Sequence, residues 1–354
     1  MTLIYFILVL SVTIFVHELG HFIFAKKAGI YVYEFCIGMG PRIFMFKRKN
    51  DETEYGIRLF PIGGFCAMAG EAVEDDETVP KDKKLQSKTW LQKFLTIVAG
   101  VMFNFIFAIV LLIIFGFING NPNNKPIVSQ VPIDSPSYEA GLQTGDIIKT
   151  LNGTKINTID RLMIEYQMSY GESLELTVLR DGKLEKINIV PTEKDGVYSY
   201  GFSLDSTVEY GFFEGIKYGF SKFFSLIEQM FLVISYLVTG KLSLSNLSGP
   251  VGIYNIVGES AKLGLIYLIY LTAYLSINVG FINLLPIPAF DGGRILFLII
   301  EKIRKKPIKP NVENTIHAVG LVLLMILMIA ITYNDIVRFI IKWQLLNVVN
   351  IMIK

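Results

Sequence analysis

Long apolar stretches alternate with polar connections along the chain, and their lengths are those of membrane-spanning helices. An apolar helix of about 20 residues crosses the hydrocarbon core of a bilayer. Three stretches reach this length and a fourth is shorter but almost wholly apolar: residues 3–25, 91–117, 263–285 and 316–333. The pattern predicts four transmembrane helices. The first stretch lacks the basic start and small-residue cleavage site of a signal peptide, so we expect it in the mature protein.

Basic residues near the ends of these stretches predict the orientation. Loops on the cytoplasmic side carry an excess of lysine and arginine close to the spans. Such residues crowd the loop after the first span and the loop before the fourth, at Lys26, Lys27, Arg42, Lys47, Arg48, Lys49, Lys81, Lys83, Lys84 and Lys88 in the first and at Lys302, Arg304, Lys305, Lys306 and Lys309 in the second. We therefore expect both loops in the cytoplasm, and both termini and the polar stretch 119–262 outside.

A fifth apolar run, residues 210–237, is also long enough to span. A crossing there would move the second basic loop to the outside, against the positive-inside tendency. The run contains charged residues at Glu214, Lys217, Lys222 and Glu228. We interpret it as an interfacial helix on the outer face, with a true span as the alternative.

Composition agrees with a polytopic α-helical membrane protein in contact with a lipid bilayer. The 354 residues are 52% hydrophobic and only 18% charged, with a mean hydropathy of +0.49, which is more apolar than a typical soluble protein. The 33 basic and 31 acidic residues give no sign of nucleic-acid binding. The two cysteines, Cys36 and Cys66, are too few for a disulfide framework or a cysteine-type zinc site.

Within the outer stretch, residues 127–191 have the pattern of a small α/β domain. The order is strand, short helix, strand, helix and a hairpin about Asp181–Gly182. This order resembles a bacterial, protease-associated PDZ domain, most specifically at Ser135-Pro136, Ala140-Gly141-Leu142 and Gly145-Asp146. The resemblance implies a groove that accepts an extended chain by strand addition. A spacer domain with an unused groove is the alternative.

The first span contains the sequence HELGH, which introduces ionisable groups into an apolar helix. His17 and His21 are four residues apart, so they share one helix face and can both reach one ion, while Glu18 projects nearby to handle a water. Such groups are costly at membrane depth and normally mark a functional site. A chance pattern of exposed histidines is therefore the weaker interpretation.

Two histidines leave a tetrahedral zinc ion one protein ligand short if a water keeps the fourth position. The remaining histidine, His317, lies beside the second basic loop, where we expect a solvated or interfacial role. Pro286 and Pro288 interrupt the third apolar run, and such a break is tolerated at membrane depth only where the backbone is buried in protein or lines a wet cavity. Asp291 follows the break and is the carboxylate best placed to complete the site.

These motifs together closely resemble the site-2 protease family of intramembrane zinc metalloproteases. HELGH combines with Asn283-x-x-Pro286-x-Pro288-x-x-Asp291-Gly292, and the similarity extends to the segment 54–71, which resembles the family's membrane-associated β-loop, and to "AGVMFNF" and "LSGPVGI". With one PDZ-like domain between the second and third spans, the chain resembles the bacterial RseP/RasP-type branch. The chain has Phe290 where the family usually has leucine and Val101 where it usually has proline.

The resemblance implies a Zn²⁺ cofactor with His17, His21 and Asp291 as ligands and Glu18 as general base. It implies a protease of the bacterial inner (cytoplasmic) membrane that cuts in or near transmembrane segments of single-pass proteins, with the PDZ-like domain extracytoplasmic. Such regulated intramembrane proteolysis would act on an anti-sigma factor or a remnant signal peptide. The sequence carries no signal for an oligomeric state.

A helical substrate hides its carbonyls in hydrogen bonds and must unwind before attack. A short strand ending in Gly63-Gly64 offers a partner for the unwound segment, with an ordinary hairpin as the alternative. Asn104 and Asn283 either bind substrate backbone or brace the helix interface, as polar residues between membrane helices often do.

Four segments follow from these patterns. Residues 1–118 hold the first two spans, HExxH and the cytoplasmic β-loop; 119–200 the PDZ-like domain; 201–262 the interfacial segment; and 263–354 the last two spans with NxxPxPxxDG. The alternatives to a protease are a catalytically silent PDZ-bearing scaffold and a transporter. A transporter predicts paired internal repeats, and the two pairs of spans share none.

Overall fold

The computed structural model describes residues 1–71, 77–194, 196–308 and 310–352, so Lys309 of the second basic loop lies outside the described residues. The chain forms two compact units, residues 1–112 with 230–354 and residues 113–229. The helices are α1 (Thr2–Lys27), α2 (Trp90–Asn119), α3 (Pro136–Glu139), α4 (Ile159–Met168), α5 (Phe212–Val238), α6 (Pro250–Leu263), α7 (Leu265–Leu284), α8 (Asp291–Arg304) and α9 (Pro310–Met352). Short 3-10 turns cover Lys81–Lys83, Leu85–Ser87 and Leu244–Asn246.

Five helices of the described chain are long and apolar enough to cross a membrane: α1, α2, α5, α7 and α9 over Asn311–Arg338. The four predicted spans and the fifth apolar run all fall on these helices. Helix α7 begins two residues later than predicted because Gly264, at φ 119°, separates it from α6. Helix α9 extends well beyond the predicted 316–333, since its polar flanks continue the same helix.

The strands are β1 (Val32–Lys47), β2 (Glu54–Met68), β3 (Asn121–Pro122), β4 (Val128–Gln130), β5 (Ile147–Leu151), β6 (Thr154–Lys155), β7 (Leu174–Arg180), β8 (Lys183–Ile189), β9 (Thr192–Lys194), β10 (Val197–Ser199), β11 (Ser203–Leu204) and β12 (Val208–Glu209). In the first unit, β1 and β2 form a bent hairpin, in which the start of β1 pairs with the end of β2. The strand expected to end at Gly63-Gly64 instead continues to Met68, because Gly63, at φ 95°, bends it without ending it. Large apolar side chains on this hairpin are exposed.

Helix α1 buries one stripe of side chains in the first unit. Its buried residues recur every four positions at Val9, Thr13, His17, His21 and Ala25, and Gly20 adjoins them. A Cβ atom at Gly20 would lie 2.4 Å from the carbonyl oxygen of Ala99 in α2, so the two helix backbones are in close contact. Small residues permit such an approach between membrane helices, and it brings α2 against the histidine face.

The second unit contains the strands and helices predicted for residues 127–191, in the predicted order. A four-stranded sheet in the order β6-β5-β7-β8 packs with α4 around a core that includes Leu162, Leu174 and Leu176. The predicted turn at Asp181–Gly182 connects β7 to β8. Asp146 is buried and accepts two short hydrogen bonds from Arg180, at 2.7 and 2.6 Å, which fix the loop before β5.

The α4 helix of this unit is also connected to α5 by polar contacts. Lys222 and Ser225 each place a donor 2.7 Å from the Asp160 carboxylate, and Arg161 pairs with Glu228 at 3.3 Å. Burial favours the neutral form of Asp160, but the Lys222 ammonium and the donated hydrogen bonds outweigh it and hold the pKa of Asp160 below its ordinary value. The charged residues of α5 therefore face polar partners.

Candidate metal centre

Two histidines of α1 and the first residue of α8 converge at one point in the first unit. Asp291 Oδ2 lies 3.0 Å from His17 Nε2 and 3.2 Å from His21 Nε2. The two Nε2 atoms are 3.1 Å apart. Within the described residues, these three side chains form a group whose ligand atoms could hold a metal ion. The structure thus brings together the three residues that the sequence predicts as ligands.

This donor set fits a zinc ion. Ligand atoms about 2.0 Å from a tetrahedral zinc lie roughly 3.3 Å from one another, close to the three observed separations. Asp291 Oδ2 is buried and has no hydrogen-bond partner among the described residues. His21 Nδ1 lies 2.9 Å from the carbonyl oxygen of Thr96, and donation of its proton there leaves the Nε2 lone pair available to the ion.

Asn104 of α2 contacts the other histidine. Its amide nitrogen is 3.3 Å from His17 Nδ1, while its Oδ1 is buried without a hydrogen-bond partner in the described chain. Turning the amide about its axis places Oδ1 beside Nδ1, where it accepts the ring proton and leaves the Nε2 lone pair of His17 available as well. Asn104 is 0% exposed. Of its two alternative roles, this geometry favours bracing over direct contact with a substrate.

Thr96, Gly100 and Asn104 are four residues apart on α2 and form the wall behind the histidines. A Cβ atom at Gly100 would lie 2.4 Å from His21 Nε2 and 2.8 Å from His17 Nε2, so only glycine leaves room for both rings. Sequence reasoning did not identify Thr96 or Gly100 as site residues. The available signal was their regular spacing with Asn104, which places all three on one helix face.

Glu18 lies beside the end of the β1–β2 hairpin. A Cβ atom at Gly64 would lie 2.9 Å from Glu18 Cγ, so the strand backbone passes close to the carboxyl-bearing side chain. Gly63 and Gly64 are both buried. Asn283 lies in the last turn of α7 and is half-buried.

The segment that carries Asp291 is connected to several parts of the first unit. The α7 helix ends before the proline break, and α8 begins at Asp291. Arg294 of α8 pairs with Glu71 at the end of the hairpin. Trp90 Nε1, at the start of α2, donates to the carbonyl oxygen of Leu298 at 2.9 Å. The start of α2 therefore packs beside the middle of α8, while the first turn of α8 contacts the residue that follows the hairpin.

His317 differs from its expected solvated or interfacial role. It is half-buried, and its Nδ1 lies 3.0 Å from the backbone nitrogen of Ala289, within the turn that precedes Asp291. His317 and Ala289 are 28 positions apart, so no local sequence pattern predicts this contact.

Two buried histidines and a partly buried aspartate, which form a His₂Asp donor set between apolar helices, are typical of a membrane metalloprotein. The model of Peptidase family M50 matches residues 5–327, and the chain belongs to this family, the site-2 proteases. It is 35% identical to zinc metalloprotease RasP of Bacillus licheniformis, over 95% of this chain and 99% of that protein. It is 34% identical to regulator of sigma-W protease RasP of Bacillus subtilis, over 95% and 98%.

A third relative, zinc metalloprotease RasP of Geobacillus kaustophilus, is 32% identical over 96% of this chain and 98% of that protein. The chain is therefore a zinc-dependent protease, and its apolar helices make it a multi-pass membrane protein. Family membership favours an enzyme over the alternatives of a silent scaffold or a transporter.

Proposed function

We propose that this protease cuts peptide bonds in or near the transmembrane segments of single-pass membrane proteins, with zinc held by His17, His21 and Asp291. The observation that carries the proposal is the convergence of these three side chains between apolar helices. A peptide bond that reaches them must lie at membrane depth. Substrates of the class of anti-sigma factors agree with the relative named regulator of sigma-W protease, and remnant signal peptides have the same single-span chemistry.

Bound zinc supplies a Lewis acid that activates water and polarises the scissile carbonyl. Glu18 is not one of the three converging ligands, so its carboxylate can take a proton from the attacking water and deliver it to the leaving nitrogen. Thr96 and Asn104 contact the Nδ1 atoms of His21 and His17, which would leave each Nε2 atom available to hold zinc. Glu18 thus transfers the water proton, while Thr96 and Asn104 accept hydrogen bonds from the Nδ1 protons of the two histidines.

The β1–β2 hairpin is the proposed site of substrate pairing. The close passage of Gly64 past Glu18 would bring a strand added beside Gly63-Gly64 next to the general base. Strand addition satisfies the backbone groups of an unwound substrate, which is essential where water is scarce. Asn283, at the end of α7, remains a candidate for a further substrate contact.

Mapping the cleavage position tests the proposal. We expect the purified protein in lipid vesicles to cut a single-pass model substrate within or beside its apolar segment. A zinc chelator should stop cleavage and added zinc should restore it, because no carbonyl is polarised without the ion. Mass spectrometry of the fragments gives the cut position. Equal cutting of the same substrate without its apolar segment would contradict intramembrane specificity.

We further propose four spans, with α5 lying at the outer membrane surface. His17 and His21 lie in the second half of α1, and Asp291 follows the proline-containing turn after α7. Their convergence therefore favours α1 and α7 ending on the same side of the membrane. An additional crossing by α5 would place those ends on opposite sides. The polar contacts of Lys222 and Glu228 with α4 also favour a surface position, with the PDZ-like domain outside the cytoplasm.

Labelling of introduced cysteines tests this topology. With an impermeant thiol reagent on intact cells, we expect labelling of a cysteine that replaces Asn152 and protection of one that replaces Lys305. The natural Cys36 and Cys66 are buried, and the unmodified protein measures their background. Permeabilised cells should expose the Lys305 position, which shows that its cysteine can react. Labelling there in intact cells would mean that α5 crosses the membrane.

A further inference from the structure

The turn between α7 and α8 has unusual backbone requirements. Pro286 and Pro288 have no N–H group, and Ala289 has a φ of 84°, a conformation disfavoured for residues with a Cβ atom. The Ala289 N–H must also find a partner in an environment poor in water. His317 Nδ1 is that partner, at 3.0 Å. The conformation of the turn is therefore supported from α9.

Helix α9 packs directly on this turn. Gly320 is three residues after His317 and shares its face of the helix. A Cβ atom at Gly320 would lie 2.5 Å from Pro288 Cβ and 2.7 Å from the Pro288 carbonyl oxygen. The α9 backbone is thus in contact with the turn, and His317 reaches the residue that follows Pro288.

The hydrogen bond from Ala289 identifies Nδ1 as the acceptor nitrogen of His317. An Nδ1 atom that accepts a hydrogen bond belongs to a neutral ring whose own proton is on Nε2. His317 Nε2 is buried and has no hydrogen-bond partner among the described residues. The hydrogen bond that His317 makes in the described part of the chain is therefore the one that Nδ1 accepts from Ala289.

We propose that His317 is a positioning residue that holds the turn so that Asp291 meets the two histidines. Asp291 is two residues beyond Ala289, so a rearranged turn would displace its carboxylate. The inference rests on the proposed role of Asp291 as a zinc ligand. It assigns to α9 a part in metal binding although α9 supplies no ligand, and loss of such supporting partners typically lowers metal affinity about 10–100-fold.

Three substitutions of His317 distinguish the effect of losing the hydrogen-bond acceptor from the effect of changed packing. His317→Asn carries an oxygen on Cγ, as histidine carries Nδ1 there, and should retain the bond to Ala289. His317→Gln moves the oxygen one bond further out, and His317→Leu has no acceptor. We expect the Leu and Gln variants to release zinc about 10–100-fold more readily to a competing chelator, and the Asn variant to match the wild type. Val319→Ala, at a 55% exposed position of α9, is the control.

Zinc release is measured on the purified full chain, with melting temperature and kcat recorded for each variant. Wild-type zinc retention by His317→Leu would overturn the inference, and so would equal losses in the Asn and Leu variants, since packing would then explain both. Asp291→Ala is measured beside them. If it loses zinc while His317→Leu does not, the inference fails and the proposed ligand set stands. If Asp291→Ala keeps its zinc, the ligand set fails first.

Discussion

Replacing Glu18 by glutamine is expected to leave zinc bound while removing nearly all cleavage. The three converging ligand atoms belong to His17, His21 and Asp291, so the substitution removes none of them. Glutamine has almost the shape of glutamate and should preserve the contact with Gly64. It cannot take a proton from water, and loss of a positioned general base typically lowers the rate about 10²–10⁴-fold. Zinc content and cleavage of a model substrate are measured on the same preparation.

A matched control is Glu259→Gln, the same chemical change at an exposed side chain of α6 that pairs with Lys262. This variant should retain both zinc and activity. A Glu18→Gln protein that cuts at the wild-type rate would end the proposed mechanism. A Glu18→Gln protein without zinc would show that Glu18 contributes to metal binding, and the ligand set would need revision.

Replacing Gly100 by alanine is expected to abolish the metal site through a single added methyl group. The new Cβ atom would lie 2.4 Å from His21 Nε2 and 2.7 Å from His17 Cε1, where both rings turn toward Asp291. The rings must tilt away, which moves their Nε2 atoms apart. A displacement of about 1 Å at an active site can lower the rate about 10²-fold, and we expect a loss of at least that size together with weaker zinc binding.

The stability of this variant distinguishes the steric effect from unfolding. Alanine is a better helix former than glycine by about 1 kcal/mol, so helix propensity alone should not lower the melting temperature. Gly258→Ala is the control, because its Cβ atom would meet only the side chain of Thr2, at 3.0 Å, and that side chain lies away from the three ligand residues. Wild-type zinc affinity in Gly100→Ala would mean that the ligand atoms do not converge beside α2.

Part of the site depends on local sequence and could be predicted. His17 and His21 share a face because any helix places positions four apart together, and Pro286 with Pro288 breaks a helix wherever it lies. The hydrophobic pattern similarly predicted the four long helices, and the α/β order of residues 127–191 followed from turn residues and strand alternation. Each of these inferences requires only neighbours in the chain.

The rest depends on contacts between distant segments. Gly100 looks like an ordinary glycine of an apolar helix until α2 packs against the histidine face. The sequence predicts a solvated or interfacial role for His317, yet its partner Ala289 is 28 positions away in sequence. No local pattern contains such pairs, since they arise from the packing of whole helices.

The position of α5 also depends on contacts between segments that are distant in sequence. By length and composition the sequence permits α5 to cross the membrane or to lie on it, because the hydrophobicity of one segment does not specify where other segments meet. In the proposed topology, the convergence of Asp291 with His17 and His21 supplies the additional constraint. Local periodicity and residue chemistry are enough to predict the apolar helices and the residue types of a zinc site. The meeting of α1 with the start of α8 depends on how whole helices pack, because ligand atoms must come within about 3 Å of one another to share an ion.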